Sequence, residues 1–244
     1  MINRADESYK QEIHSAYGKL EKAYSELKES NLEMIFRLAL IAESRDASTG
    51  VHLVRIADYS AIIAEEMELS PREVDIIRHA SPMHDIGKIT LPDSILKKKG
   101  KLTSEERYVV MKHSEAGARI FRNAKSPIMK ACSVIALTHH ERFDGKGYPR
   151  GLKGEDIPLY GRIVGLADCF EAFTSKRSYK EAYGFEESVS MVVERAGTHF
   201  DPAVVMAFMR NKDKIKRTWE ANRDIEEFLA DAGVLEGSSY SLED

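Results

Sequence analysis

From Ile13 onward the larger side chains recur at alternating steps of four and three: Ile13, Tyr17, Leu20, Tyr24, Leu27, Asn31, Met34, Leu38 and Ile41. Such a heptad seam, sustained over about four repeats, predicts a long helix able to form a coiled coil, with Asn31 as the polar position that fixes register in a parallel dimer. An amphipathic helix packed on its own domain has a similar spacing, and the flanking positions carry few complementary charges, so that reading stays open beside the first. From Met34 onward the helix is expected to do both.

After Gly50 the pattern is helical nearly throughout, and local chemistry marks the starts. Ser70 followed by Pro71 is an N-cap with proline at the first helical position, Thr103 with Glu106 makes a capping box, and Asp201 followed by Pro202 repeats the first device. Helices are expected at 51–67, 71–84, 104–123, 127–140, 159–175, 185–196 and 202–216. No convincing strand pairs occur, so the fold class is all-α. Between Glu141 and Arg162 runs a loop with glycines at 145, 147, 151, 154 and 161 and prolines at 149 and 158, too long for a mere connection and therefore a candidate functional loop. The expected organisation is an N-terminal helix over 1–42, a helical domain over 43–216, and a C-terminal helix with a flexible tail over 217–244, the part from Gly233 onward being disordered.

Composition narrows the function classes. The chain has 244 residues and 43% hydrophobic content, enough for a sizeable core. With 36 Lys plus Arg against 40 Asp plus Glu the net charge is −4, so no global basic field draws it to DNA or to anionic membranes. Any anionic ligand must be met locally. Only Cys132 and Cys169 occur, without metal-type spacing, which fits a reducing cytoplasm and two core residues. No apolar run approaches the roughly 20 residues that span a bilayer, and the start lacks the apolar core of a signal peptide.

Six of the eight histidines fall between positions 52 and 140: His52, His79, His84, His113, His139 and His140. His84 is followed by Asp85 at the end of an expected helix, His139 and His140 end another, and Asp168 lies inside an apolar helix where a lone carboxylate would need a partner. Singly, each is most simply a satisfied structural residue. Together they converge on metal ions, and an imidazole and carboxylate donor set without thiolates suits iron, manganese or catalytic zinc better than structural zinc or calcium. His14, His79 and His199 have no such context and are read as structural.

The succession RDASTGVHLVR, HDIGK, KHSEAG, HHERFDGKGYP and IVGLADCFEAFTSKRSYK resembles the HD-GYP family of the HD superfamily over about residues 40–212. The resemblance implies a helical bundle enclosing two or three metal ions, commonly iron or manganese, that cleaves cyclic di-GMP to pGpG and often onward to GMP. It makes His52, His84, Asp85, His113, His139, His140 and Asp168 the metal ligands, Asp85 bridging two ions, with Lys88 reaching the scissile phosphate. Arg177 and Lys180 fall where the family contacts the dinucleotide. Tyr148 could stack on a guanine, hydrogen-bond a phosphate or simply pack the loop. Arg55 could meet the ligand, although a salt bridge within the bundle suits it better.

Two departures matter. Trinuclear members place a glutamate four residues before the first histidine ligand, where this chain has Ser48, so a binuclear site is expected, with Asp46 at most a supporting group. Glu171 stands where the family usually has aspartate, keeping the charge with a longer reach, and by that resemblance is expected among the substrate-binding residues. Two metals would activate a shared water and stabilise both oxygens of an in-line displacement, Lys88 adding charge to the phosphoryl oxygens. Three readings remain: a cytoplasmic cyclic di-GMP phosphodiesterase, an HD enzyme for another, hybrid cyclic dinucleotide or nucleoside phosphate, and a non-catalytic module that binds nucleotide or a partner such as a diguanylate cyclase. In related proteins helices like the N-terminal one join a sensor or receiver domain to the catalytic bundle, so here the helix is expected either to follow such a domain or to dimerise the enzyme by itself.

Overall fold

The computed structural model describes residues 2–45, 50–98, 100–175 and 182–231, with side chains from 9 to 222 within those ranges. Asp46, Ser48, Arg177, Lys180 and the tail from Gly233 lie outside the described residues. The chain divides into two units, Met1–Leu38 and Ala39–Asp244.

The first unit consists of helix α1, Ile2–Glu43, up to Leu38. Its seam is laid open: Tyr17, Leu20, Tyr24, Leu27 and Met34 are each more than half exposed. Asn31 is exposed with them.

The second unit is all-α. Its helices are α2 (Gly50–Glu66), α3 (Pro71–Ala80), the single turn α4 (Asp93–Leu96), α5 (Ser104–Ile120), α6 (Pro127–Thr138), α7 (Leu159–Thr174), α8 (Phe185–Val193), α9 (Pro202–Arg210) and α10 (Lys212–Asp231). Among the described residues the only β pairing is an isolated bridge between Ala196 and Phe200. Helix α2 is central and packs on α3, α7, α9 and α10, while α6 bridges α3, α5 and α7. Leu53, Ile56, Ile63, Ile77, Ile135, Ile163, Leu166 and Phe208 are completely buried. The Phe170 ring gathers Tyr59, Phe185 and Phe208 at centroid separations of 5.4, 5.6 and 4.9 Å. No helix among the described residues is long and apolar enough to cross a membrane.

The capping signals act as expected. Ser70 accepts from Glu73 N while Glu73 accepts from the cap backbone, Thr103 and Glu106 do the same, and Asp201 accepts from Ala203 N. Several expected helices end a few residues early, and two stop well short of their hydrophobic pattern. The one over 71–84 stops at Ala80, because Pro82 has no N–H to continue the ladder, and the chain turns through a 3₁₀ segment at Ser81–Met83. The one over 202–216 breaks at Asn211, whose amide bonds Glu66 Oε2 at 2.7 Å, before α10 begins.

Candidate metal centre

His84 and Asp85 do not end a helix as their sequence position suggests; they form a turn between two 3₁₀ segments, Ser81–Met83 and Ile86–Thr90. That turn lies against α5 because residue 87 is glycine: a Cβ there would stand 1.9 Å from His113 O. Likewise Gly165 lets α7 approach the end of α6, where a Cβ would meet His139 O at 2.6 Å. Small residues thus bring the histidine-bearing segments into register with Asp168 on α7.

Two donor sets gather the seven expected ligands. Asp85, His113, His139 and His140 offer ligand atoms that all lie within 4.8 Å of one another, and so do those of His52, His84 and Asp168. Asp85 faces both: its Oδ1 is 3.0 Å from His113 Nε2 and 3.5 Å from His139 Nε2, its Oδ2 is 3.4 Å from His84 Nε2. His84 Nε2 is also 3.7 Å from Asp168 Oδ1. All seven residues expected as ligands are therefore brought together.

The hydrogen bonds behind the rings decide which nitrogens are free. Nδ1 of His84 donates to Ser81 O at 3.0 Å, that of His113 to Val110 O at 2.6 Å, that of His139 to Ile135 O at 3.0 Å, and that of His52 to Glu171 Oε2 at 2.5 Å. Each imidazole is thereby held with its Nε2 lone pair directed away from its anchor, as metal-ligating histidines are. Among the described residues His84 Nε2, His139 Nε2 and Asp85 Oδ1 are buried and, close as they lie to one another and to His113, make no hydrogen bond of good geometry, a costly state in a finished core and the expected one for atoms that bind a cation. The donor set fits divalent cations of the iron, manganese and zinc kind.

Electrostatics point the same way. Burial opposes charge on His84, yet Asp85, Asp168 and Glu43 outweigh it and push its pKa up to about 9. A field that favours a proton there favours a metal cation. Burial, together with the neighbouring His139, keeps His140 well below the ordinary imidazole range, hence neutral and able to ligate. For Asp85, burial is outweighed by Lys88 and His84, so its carboxyl stays well below the usual range.

Around the centre the other candidates separate. Lys88, on the 3₁₀ segment Ile86–Thr90, reaches Asp85 Oδ2 at 2.8 Å. The Tyr148 ring lies 4.6 Å from that of His140 at an interplanar angle of 30°, and its half-burial raises the phenol pKa. Its loop is pinned by the buried Glu141, whose carboxylate accepts from Arg150 N at 2.8 Å and Leu152 N at 3.0 Å. Glu171, expected to meet the substrate, is instead 1% exposed and turned inward onto His52, Ser175 and Arg55. Burial would raise its pKa, but His52 and Arg55 hold it at about 2, a carboxylate that orients a ligand rather than one that touches substrate. Arg55 is buried and used within the bundle, 3.6 Å from Glu171 Oε1. One residue had no sequence signal: Glu43, the last of α1, whose carboxylate groups with His84 and Asp85.

The sequence profile of the HD domain family matches residues 37–204. The chain is 39% identical over 216 residues to the cyclic di-GMP phosphodiesterase response regulator RpfG of Xanthomonas campestris pv. campestris, covering 88% of this chain and 57% of that protein. It is 41% identical over 204 residues to a cyclic di-GMP phosphodiesterase of Thermotoga maritima, covering 84% and 55%. A 3'3'-cGAMP-specific phosphodiesterase 2 of Vibrio cholerae is 41% identical over 189 residues, covering 78% and 36%. The chain thus spans roughly a third to somewhat over half of these relatives. In fold it is similar to the crystal structure of a cyclic GMP-AMP specific phosphodiesterase of V. cholerae, at TM-score 0.56 and 21% identity over 82% of this chain and 53% of that one. The profile match over more than half the sequence makes this chain a member of the HD domain family, and the His and Asp residues of both donor sets lie within the matched range.

Proposed function

We propose that this chain is a phosphodiesterase dependent on two divalent metal ions, iron or manganese, that hydrolyses cyclic di-GMP to pGpG and onward to GMP within bacterial second-messenger signalling in the cytoplasm. The observation that carries the reading is Asp85, one carboxylate with one oxygen toward each donor set, the arrangement that bridges a pair of ions. When bound, such a pair supplies Lewis acidity toward a phosphodiester and eases the generation of hydroxide near neutral pH.

The chain's own residues do the rest. His52, His84, Asp85, His113, His139, His140 and Asp168 hold the ions. Lys88 brings an ammonium to the same corner, where positive charge stabilises phosphoryl oxygens as the transition state forms. Tyr148, against His140, is placed to stack on a purine or to hydrogen-bond a phosphate at the rim. Arg177 and Lys180 are assigned the dinucleotide phosphates by their basic chemistry and their place after Asp168. The 41% identity to a 3'3'-cGAMP-specific phosphodiesterase supports a second reading, hydrolysis of the hybrid cyclic dinucleotide by the same residues. The exposed seam of α1 is assigned to a homodimer, whose coiled coil would receive a signal from an upstream sensor or receiver domain.

The test is anaerobic reconstitution with iron or manganese, metal counting, and turnover of cyclic di-GMP beside 3'3'-cGAMP, with Asp85→Ala as control. Two ions per chain and turnover lost in the variant support the reading; ions bound without cleavage of either dinucleotide would reject it. Replacing Leu20 and Leu27 by glutamate should yield monomers in solution, and an unchanged mass would reject the dimer.

A further inference from the structure

Glu43 presents a problem that the two donor sets leave unsolved. The residue is 2% exposed, and neither carboxylate oxygen has a hydrogen-bond partner among the described residues. A buried carboxylate without compensation is expensive, so a chain keeps one only where a cation comes to it. Two cations are possible. A third metal ion would draw on Glu43, His84 and Asp85, but His84 has one available nitrogen, its Nδ1 being engaged with Ser81 O, and that Nε2 already belongs with His52 and Asp168. The other is the Lys88 ammonium, 2.8 Å from Asp85 Oδ2 and 3.8 Å from Glu43 Oε1.

We infer that Glu43 is a positioning residue for Lys88: when a metal ion engages Asp85, the ammonium passes to Glu43 and so stays at the centre. The inference rests on the two-ion reading of the centre. The move is about 1 Å, within reach of the last bonds of a lysine side chain. The backbone is tied for this purpose. Arg45, two residues after Glu43, donates to the carbonyls of Lys88 (3.2 Å), Ile89 (2.5 Å) and Leu91 (2.9 Å) and pairs with Asp93, which fastens the end of α1 to the segment that bears Lys88. Without Glu43 the ammonium would lose the carboxylate nearest to Asp85 and would compete more strongly with the ion for Asp85. Glu43 thereby serves two ends: it lowers the cost of loading the bridging carboxylate, and it keeps positive charge beside the phosphoryl site.

The test reads metal binding rather than turnover. Manganese is titrated into metal-free wild type, Glu43→Gln, Lys88→Met and the double variant, with ions per chain counted and thermal melts recorded. Glu43→Gln should bind the same number of ions with affinity lower by about tenfold, the scale of one buried charge-assisted contact. Lys88→Met should bind no more weakly than wild type, since its competing ammonium is gone, and adding Glu43→Gln to it should change affinity by less than about twofold. A drop in ion count in Glu43→Gln would make Glu43 a ligand and overturn the inference, as would an equal loss of affinity in both backgrounds or no loss in either. If Glu43→Gln does not fold, Lys88→Met still decides: weaker manganese binding than wild type refutes the competition on which the inference depends. A wild type that took up no manganese would overturn the two-ion reading and this inference with it.

Discussion

Replacing Gly87 by alanine isolates the contact that sets the centre's geometry. The added carbon would stand 1.9 Å from His113 O, 2.5 Å from Gly117 N and 2.8 Å from His113 C, all backbone atoms that no rotamer change can move. To restore ordinary contact, the Ile86–Thr90 segment and α5 must part by about 1.5 Å, an overpacking strain of about 2–3 kcal/mol. In a helical unit of this size that lowers the melting temperature by about 5–10 °C. The larger effect is local, since the same separation stretches the 3.0 Å approach of His113 Nε2 to Asp85 Oδ1. Metal affinity should fall by about tenfold or more, and turnover by about a hundredfold. Melting curves of the metal-free protein, manganese titration and dinucleotide turnover read the three effects. Gly18→Ala is the control: nothing lies within 4 Å of a Cβ there, so the variant should be as stable as wild type or more so, by about 0.5–1 kcal/mol of helix propensity. If Gly87→Ala melts within about 1 °C of wild type and binds manganese equally well, the packing argument is wrong.

Glu171→Gln removes the charge behind His52 at nearly constant shape and should weaken metal binding by about ten- to a hundredfold without changing the ion count; an unchanged binding curve would return Glu171 to a purely packing role. His199 is held at about 4 by burial and by Arg142 and Arg195, below its ordinary 6.5, so it stabilises the fold above pH 6.5 and this contribution is lost as pH falls toward 4. Urea unfolding of metal-free His199→Gln should accordingly show a loss between those pH values smaller than that of wild type by about 1–2 kcal/mol, the full shift being reduced by solvent screening of a half-buried ring, and parallel curves would refute the assignment. Cys132 is fully buried with its thiol pushed up to about 12, whereas Cys169 is half-buried, so a maleimide should label Cys169 first in the folded protein and Cys132 only on unfolding.

Much of this structure was legible because its signals are local. Ser70, Thr103 and Asp201 satisfy the first amides of their helices through short-range bonds that any context preserves, and the helix starts followed from them. The ligands were legible because adjacent or regularly spaced His and Asp residues have few uses inside an apolar bundle. Where long-range packing decides, the reading fell short. The hydrophobic pattern ran through Pro82 and Asn211, yet a missing N–H and an amide drawn to Glu66 ended both helices early. The place of Glu171 three residues after Asp168 suggests a substrate contact, but that spacing says nothing of which face of α7 turns toward His52. Glu43 gave no warning, since its burial depends on Arg45 gripping carbonyls more than forty residues away.

The clasp of Glu141 on the Arg150 and Leu152 amides divides the long loop into two stretches with different tolerance for change in length. Inside the clasp, Tyr148 is held against His140, and an added residue would pull the ring from the centre. Beyond it, the chain passes over exposed Glu155 and Asp156 before the buried Ile157 anchors it again. Insertions between Glu155 and Asp156 would lengthen a surface turn at little entropic cost and leave the donor sets untouched. That turn is where a tag, a reporter or a lineage-specific extension can be carried without disturbing the chemistry.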